Sequence, residues 1–191
     1  MKPLLLTFLL LAAAVPLDQV EVSWRPVGSG PKEGIGRGEI EAPPDRVFRA
    51  LADLDHWDEF MPFLESSDAR PQPDGSVLSF QRLELPALIG ERHYQIRAEI
   101  RAEIRARGRS GGRIWRLEWS YVPGSGNVVA HRGSWELSEI APGRTLAVLH
   151  LYTDPGGPVP DRAMDRATGK SLGWIFKGLR QHVRRSRYDR Q

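Results

Sequence analysis

Ile96-Arg97-Ala98-Glu99-Ile100-Arg101-Ala102-Glu103-Ile104-Arg105-Ala106 is the stretch on which the fold turns. It is a four-residue repeat of strong helix formers, so propensity alone makes it a helix. The pattern makes it a strand. Ile or Ala fills every even position from 96 to 106, and a charge fills every odd position between them. Such alternation gives an extended chain one apolar and one charged face. On a helix the alanines would fall roughly opposite the isoleucines and leave no polar face. The segment is expected as a long strand within 91–107, too short to start a solenoid.

Outward from it, period-two patterning continues. Strands are expected near 63–70, 76–84, 113–122, 129–139 and 144–153. The separators are Pro71 to Gly75, Pro86, Gly108 to Gly112, Pro123 to Gly126 and Pro142-Gly143. Short connections mean an antiparallel meander, because parallel pairs need long crossovers. Upstream, Val20, Val22 and Trp24 alternate as a short strand, and Pro26 to Gly38, with Gly at 28, 30, 34, 36 and 38, reads as a flexible arm. Pro43-Pro44-Asp45 opens a helix with Val47, Phe48, Leu51 and Leu54 on its apolar stripe. A second short helix follows near Asp55 to Phe60. Downstream, Asp154 to Pro160 is a loop whose last proline suits a first helical turn. Met164, Ala167, Ser171, Leu172, Ile175, Phe176, Leu179 and Val183 then keep helical spacing. Gly169 and Gly173 each cost that helix about 1 kcal/mol relative to Ala, which close approach to a strand or room for a ligand would justify.

The chain has 191 residues with 19 Gly, 15 Pro and no Cys. That length suits one domain with a real core. Without cysteine there are no disulfides, thiolate metal sites or thiol nucleophiles. Net charge is +3, but Arg162 to Gln191 holds nine Lys/Arg against two acids. Such a segment is either a solvated helix face with its C-terminal cations or a patch for an anionic membrane surface; no nucleic-acid partner is expected. At the other end, Met1-Lys2-Pro3, an apolar run from Leu4 and Ala12-Ala13-Ala14 follow the secretory pattern. The run is too short to span a bilayer comfortably. Cleavage after Ala14 and export, to the periplasm or beyond, are expected; an uncleaved anchor is the alternative. The expected organisation is 1–14 signal peptide, 15–38 strand and Gly-rich arm, 39–185 the main domain, and 186–191 a basic tail.

The catalytic signatures tested do not fit. Gly34-x-Gly36-x-Gly38 has the wrong spacing and context for a dinucleotide site, and Gly169-Lys170-Ser171 lacks the upstream glycine of a phosphate loop. Gly124-Ser125-Gly126 is a turn, not a nucleophile elbow. His56, His93, His131, His150 and His182 have no metal-ligand spacing, so neither metal nor cofactor is expected. The acids crowding His56 (Asp53, Asp55, Asp58, Glu59) read as a helix end.

The element order is a strand, two short helices, six antiparallel strands and a long amphipathic helix. This is an α+β domain in which a curved sheet of about seven strands is covered by the last helix. The sequence resembles the START-like, or SRPBCC, helix-grip superfamily, in its polyketide cyclase/dehydrase and coenzyme-Q-binding-protein branch. The resemblance rests on Ile40 to Phe48, Leu51-Ala52-Asp53 with Trp57 and Pro62, Gly133 to Leu137, Gly143-Arg144-Thr145, and Asp154 to Pro160 before the helix. It covers about residues 35–185; the Gly-rich arm and the Arg-Ala-Glu-Ile repeat are not part of the pattern it leads one to expect. It implies a ligand held between sheet and helix. Fold alone does not choose among carrier, cyclase and sensor.

Alternation places Trp115, Leu117, Trp119 and Tyr121 on one strand face, with Phe80, Trp135 and Leu149 in the same inward set and Leu172, Phe176 and Leu179 opposite on the helix. These residues read either as a wall for an apolar ligand or as plain core. Arg82 continues the Leu78–Phe80 period. It either points inward, to meet a ligand oxygen, or reaches water at the sheet rim. Acid–base chemistry would have to come from Arg82, His131, His150 or Tyr152. The leading expectation is a non-enzymatic carrier of a lipid, quinone or polyketide-like molecule. A cyclase/dehydrase and a closed-core interaction module are the alternatives; oligomeric state is left open.

Overall fold

The computed structural model describes residues 19–85, 90–105 and 113–189. The expected signal segment, the Pro86 separator and the end of the long strand beyond Arg105 lie outside these residues. Among them no helix is long and apolar enough to cross a membrane.

Eight strands form one antiparallel sheet: β1 (Glu21–Arg25), β2 (Glu33–Ile40), β3 (Leu64–Pro71), β4 (Val77–Leu83), β5 (Arg92–Arg105), β6 (Arg113–Tyr121), β7 (Ala130–Ala141) and β8 (Arg144–Asp154). The sheet order is β1-β2-β8-β7-β6-β5-β4-β3. α1 (Pro44–Ala52) and a short 3-10 helix (Leu54–Glu59) separate β2 from β3, and α2 (Asp161–His182) closes the domain. The α+β class and the sheet-plus-final-helix plan match expectation, with one strand more.

The repeat segment is a strand. Tyr94, Ile96 and Ala98 of β5 are buried, whereas Arg97, Glu99 and Arg101 are exposed. Burying the apolar face of a pleated sheet outweighs helix propensities that differ by well under about 1 kcal/mol per residue.

The extra strand is the correction to the expected Gly-rich arm. Gly34, Gly36 and Gly38 alternate within β2 and face α2. A Cβ on Gly34 would lie 2.8 Å from Thr168 Cγ2, and one on Gly38 would lie 2.9 Å from the Phe176 ring. The glycines let a helix lie directly on strand backbone. Gly178 does the same against the Phe60 carbonyl, 2.6 Å from its would-be Cβ. Gly169 is filled by the Trp24 ring, while Gly173 meets nothing within 4 Å.

Within the segment expected as a basic tail, Ser186–Tyr188 forms a 3-10 turn with Tyr188 buried. The Tyr188 hydroxyl bonds Asp53 Oδ2 at 2.9 Å and His182 Nε2 at 2.7 Å. Arg46 and Arg49 donate to the Val183 and Tyr188 carbonyls, and Arg185 and Arg187 pair with Glu59. Two of the acids around His56, Asp53 and Glu59, therefore anchor the chain end.

Candidate ligand-binding site

Two adjacent stripes on α2 divide the interior. Leu172, Phe176 and Leu179 are fully buried; Leu172 and Phe176 lie on the β2 glycines, and Trp135 meets Phe176 at 5.2 Å between ring centroids. One residue away around the helix, Met164, Ala167, Ser171 and Ile175 face a cavity of about 180 Å³. Its sheet wall is Gln81, Leu83, Arg92, Tyr94, Trp119, His131, Leu149, Leu151 and Thr153. Trp57 joins the wall, edge-on to Trp119 at 5.3 Å, with its own N–H satisfied by the Leu51 carbonyl.

Of the expected site residues, Trp119 and Leu149 line this cavity. Leu117, Trp135, Leu172, Phe176 and Leu179 pack in the core beside it, and Trp115 and Tyr121 are half-buried against that core. Phe80 and Arg82 require correction, because β4 runs in the opposite parity. Ser79 and Gln81 are buried, while Phe80 is 39% exposed, against His93, and Arg82 pairs with Glu65 at 2.8 Å on the outer face. Register explains this: Gln81 lies across from Tyr94 and Ser79 from Ile96, both inward residues of β5. The sequence of β4 carries apolar residues on both faces, so alternation alone did not set its direction.

The acid–base candidates separate the same way. His150 bonds the buried Glu33 at 3.3 Å, and Tyr152 lies beneath the Arg132 guanidinium at 4.0 Å, both on the outer face. Glu33 also pairs with Arg25 at 2.6 Å, and these partners hold its carboxyl below the usual carboxylate range despite burial. A polar hollow of about 500 Å³ on that face is lined by alternating Arg and Glu, including the Arg116–Glu136 pair at 2.5 Å.

Only His131 of the four reaches the cavity. Its Nε2 accepts the Trp119 indole N–H at 3.0 Å, so Nδ1 carries the proton and donates to Thr153 Oγ1, also at 3.0 Å. Burial pushes its pKa down to about 4. Both nitrogens are occupied and the ring is neutral near pH 7, a poor arrangement for moving a proton. Gly133 makes the Trp119 pose fit: a Cβ there would lie 2.2 Å from the indole.

At the rim, Phe63 is a non-glycine residue at φ 65, a left-handed conformation with a steric cost. Its carbonyl accepts from Glu84 N at 2.9 Å, and its ring meets Trp174 at 5.7 Å. Phe63 is 38% and Trp174 48% exposed. Among the described residues no group of His, Asp or Glu side chains converges as metal ligands would.

A sheet gripping one long helix around an apolar cavity defines a helix-grip domain. The chain belongs to the family described as polyketide cyclase / dehydrase and lipid transport, which its sequence matches over residues 37–184. A search of curated proteins returned no match. Among solved structures, a STAR-related lipid transfer protein from Xanthomonas axonopodis aligns with a TM-score of 0.71 at 18% identity, covering 87% of this chain and 94% of that one. Human StAR-related lipid transfer protein 5 aligns at 0.68 and 18% identity, over 86% and 81%. The Zhui aromatase/cyclase of a Streptomyces species aligns at 0.59 and 15% identity, over 79% and 92%. At these identities the likeness is one of fold.

Proposed function

We propose that this protein binds an apolar or amphipathic small molecule in the cavity between the sheet and α2 and carries it without changing it. The observation that carries this reading is an apolar cavity whose one acid–base candidate, His131, has both ring nitrogens committed. The names of its structural neighbours, two of them lipid transfer proteins, support it. The test is a panel of fatty acids, quinones, sterols and short aromatic compounds, followed by tryptophan emission and melting temperature. A bound ligand raises stability by RT ln(1 + [L]/Kd), about 2.7 kcal/mol at 100 times Kd. Turnover of any member would instead favour the cyclase reading.

Export is part of the proposal and rests on Met1 to Ala14. Intact mass of protein from its native host should lack about the first 14 residues; Met1 on a membrane-bound form would point to an anchor. Contact with an anionic membrane is proposed through the exposed face of α2. There Trp174 lies between Lys170 and Lys177, all three exposed, with Phe63 alongside at the cavity rim. An aromatic ring flanked by exposed lysines suits a headgroup layer. Sedimentation with phosphatidylglycerol vesicles, lost in high salt or on Trp174→Ala, would support this.

A further inference from the structure

The polar groups of the cavity with hydrogen-bonding capacity to spare point to one ligand chemistry. Gln81 is 3% exposed, and its amide nitrogen has no hydrogen-bond partner among the described residues. Tyr94, directly across the ladder from Gln81, is kept protonated by burial, so its hydroxyl is a donor. Thr153 accepts from His131 Nδ1, which leaves its own hydroxyl proton to give. Arg92 lies across from Leu83, diagonal to Gln81 and on the same face as Tyr94. Its Nε donates to the Pro155 carbonyl and one terminal nitrogen to the Glu91 carbonyl, both at 3.1 Å. It pairs with no acid among the described residues, and no Asp, Glu or Lys lines the cavity. Among the described residues the cavity lining thus includes one formally charged side chain, the cation Arg92, and a buried donor on Gln81 that lacks an acceptor.

Size narrows the rest. A volume of about 180 Å³ is close to the roughly 150 Å³ apolar cavity that admits benzene and below the roughly 300 Å³ at which drug-sized pockets begin. The body that fits is one ring or a short chain.

We propose that the ligand is a small amphipathic carboxylate, its head held between the Gln81 amide and the Arg92 guanidinium and its apolar body against Trp119, Leu149 and Ile175. A carboxylate brings acceptors only, which is what unspent donors require. The inference rests on the binding reading above and adds to it the charge and length of the ligand.

The test compares 3-phenylpropanoate, 3-phenylpropanol and 3-phenylpropylamine, three ligands of one carbon skeleton, by tryptophan emission at pH 7. The acid should bind at least about tenfold tighter than the alcohol, the difference expected of one charge-assisted pair, and the amine should not bind measurably. Arg92→Met and Gln81→Leu should each reduce that preference, lowering affinity for the acid by a larger factor than affinity for the alcohol; Arg92→Lys should keep much of it. Alcohol binding as tight as acid binding, or a preference unchanged in both variants, overturns the proposal and leaves the carrier reading in place. Binding of a sterol or long-chain lipid with no response to the trio also overturns it alone. Silence toward every compound overturns both.

Discussion

The indole N–H of Trp119 and Nε2 of His131 are 3.0 Å apart, and this single bond settles which imidazole nitrogen holds the proton. It ties β6 to β7 inside the cavity wall and makes a histidine into a structural acceptor.

A pH dependence of stability follows. Burial lowers the His131 pKa to about 4 from its usual 6.5. The unfolded chain therefore binds the extra proton first as pH falls. The stability this neutral ring contributes is complete above about pH 6.5 and is lost progressively down to about pH 4, on the order of 3 kcal/mol in all. His182, also lowered chiefly by burial, acts in the same direction. Urea denaturation between pH 4 and 8 should show the decline, and His131→Gln should flatten part of it. A pH-independent midpoint would contradict the burial of a neutral ring.

Phe176 and Ile175 should behave differently despite being neighbours. Phe176→Ala removes a ring packed between Trp135 and the β2 glycines and should cost about 3–5 kcal/mol, with ligand affinity unchanged in the protein that folds. Ile175→Ala widens the cavity wall and should change affinity as well as melting temperature. Calorimetric unfolding beside ligand titration separates the two.

Gly38→Ala puts a methyl 2.9 Å from the Phe176 ring. Overpacking of this kind costs about 1–3 kcal/mol. The cost should shrink in a Phe176→Leu background, and a double-mutant cycle would measure that coupling directly. An additive result would mean that helix and strand separate easily.

Tyr188→Phe removes the hydroxyl shared by Asp53 and His182. The expected loss is about 1–3 kcal/mol, because the buried His182 Nε2 is left without its partner. Hydrogen exchange should quicken over residues 183–189 before the rest of the domain opens.

How far these features could be read beforehand depends on what pattern each leaves in the chain. The alternation of Ile96 to Ala106 and of Trp115 to Tyr121 fixed which way β5 and β6 face, because each has bulky apolar groups on one parity and charges or small polar groups on the other. β4 carries Val77 and Leu83 on one face and Leu78 and Phe80 on the other, so its direction came from pairing with β5, across a connection too long to dictate register. That is why Gln81 was missed and Arg82 chosen. On α2 the cavity stripe and the core stripe differ by one residue, a distinction set by the glycines of β2 and invisible in helical spacing. Gly34-x-Gly36-x-Gly38 was itself legible as alternation, but a strand without side chains on one face resembles a loop until the helix above it is known.

The same glycines bear on traffic. Because α2 lies against β2 backbone, with ring and methyl carbons already at contact distance from the strand, that side of the chamber has no slack to yield. A molecule entering the proposed site is then expected to pass the far margin: Met61 to Leu64, Leu83 and Leu85, and the Pro155 stretch held by Arg92. The residence time of a bound molecule should then follow how often that margin parts, with the long helix as the fixed jamb.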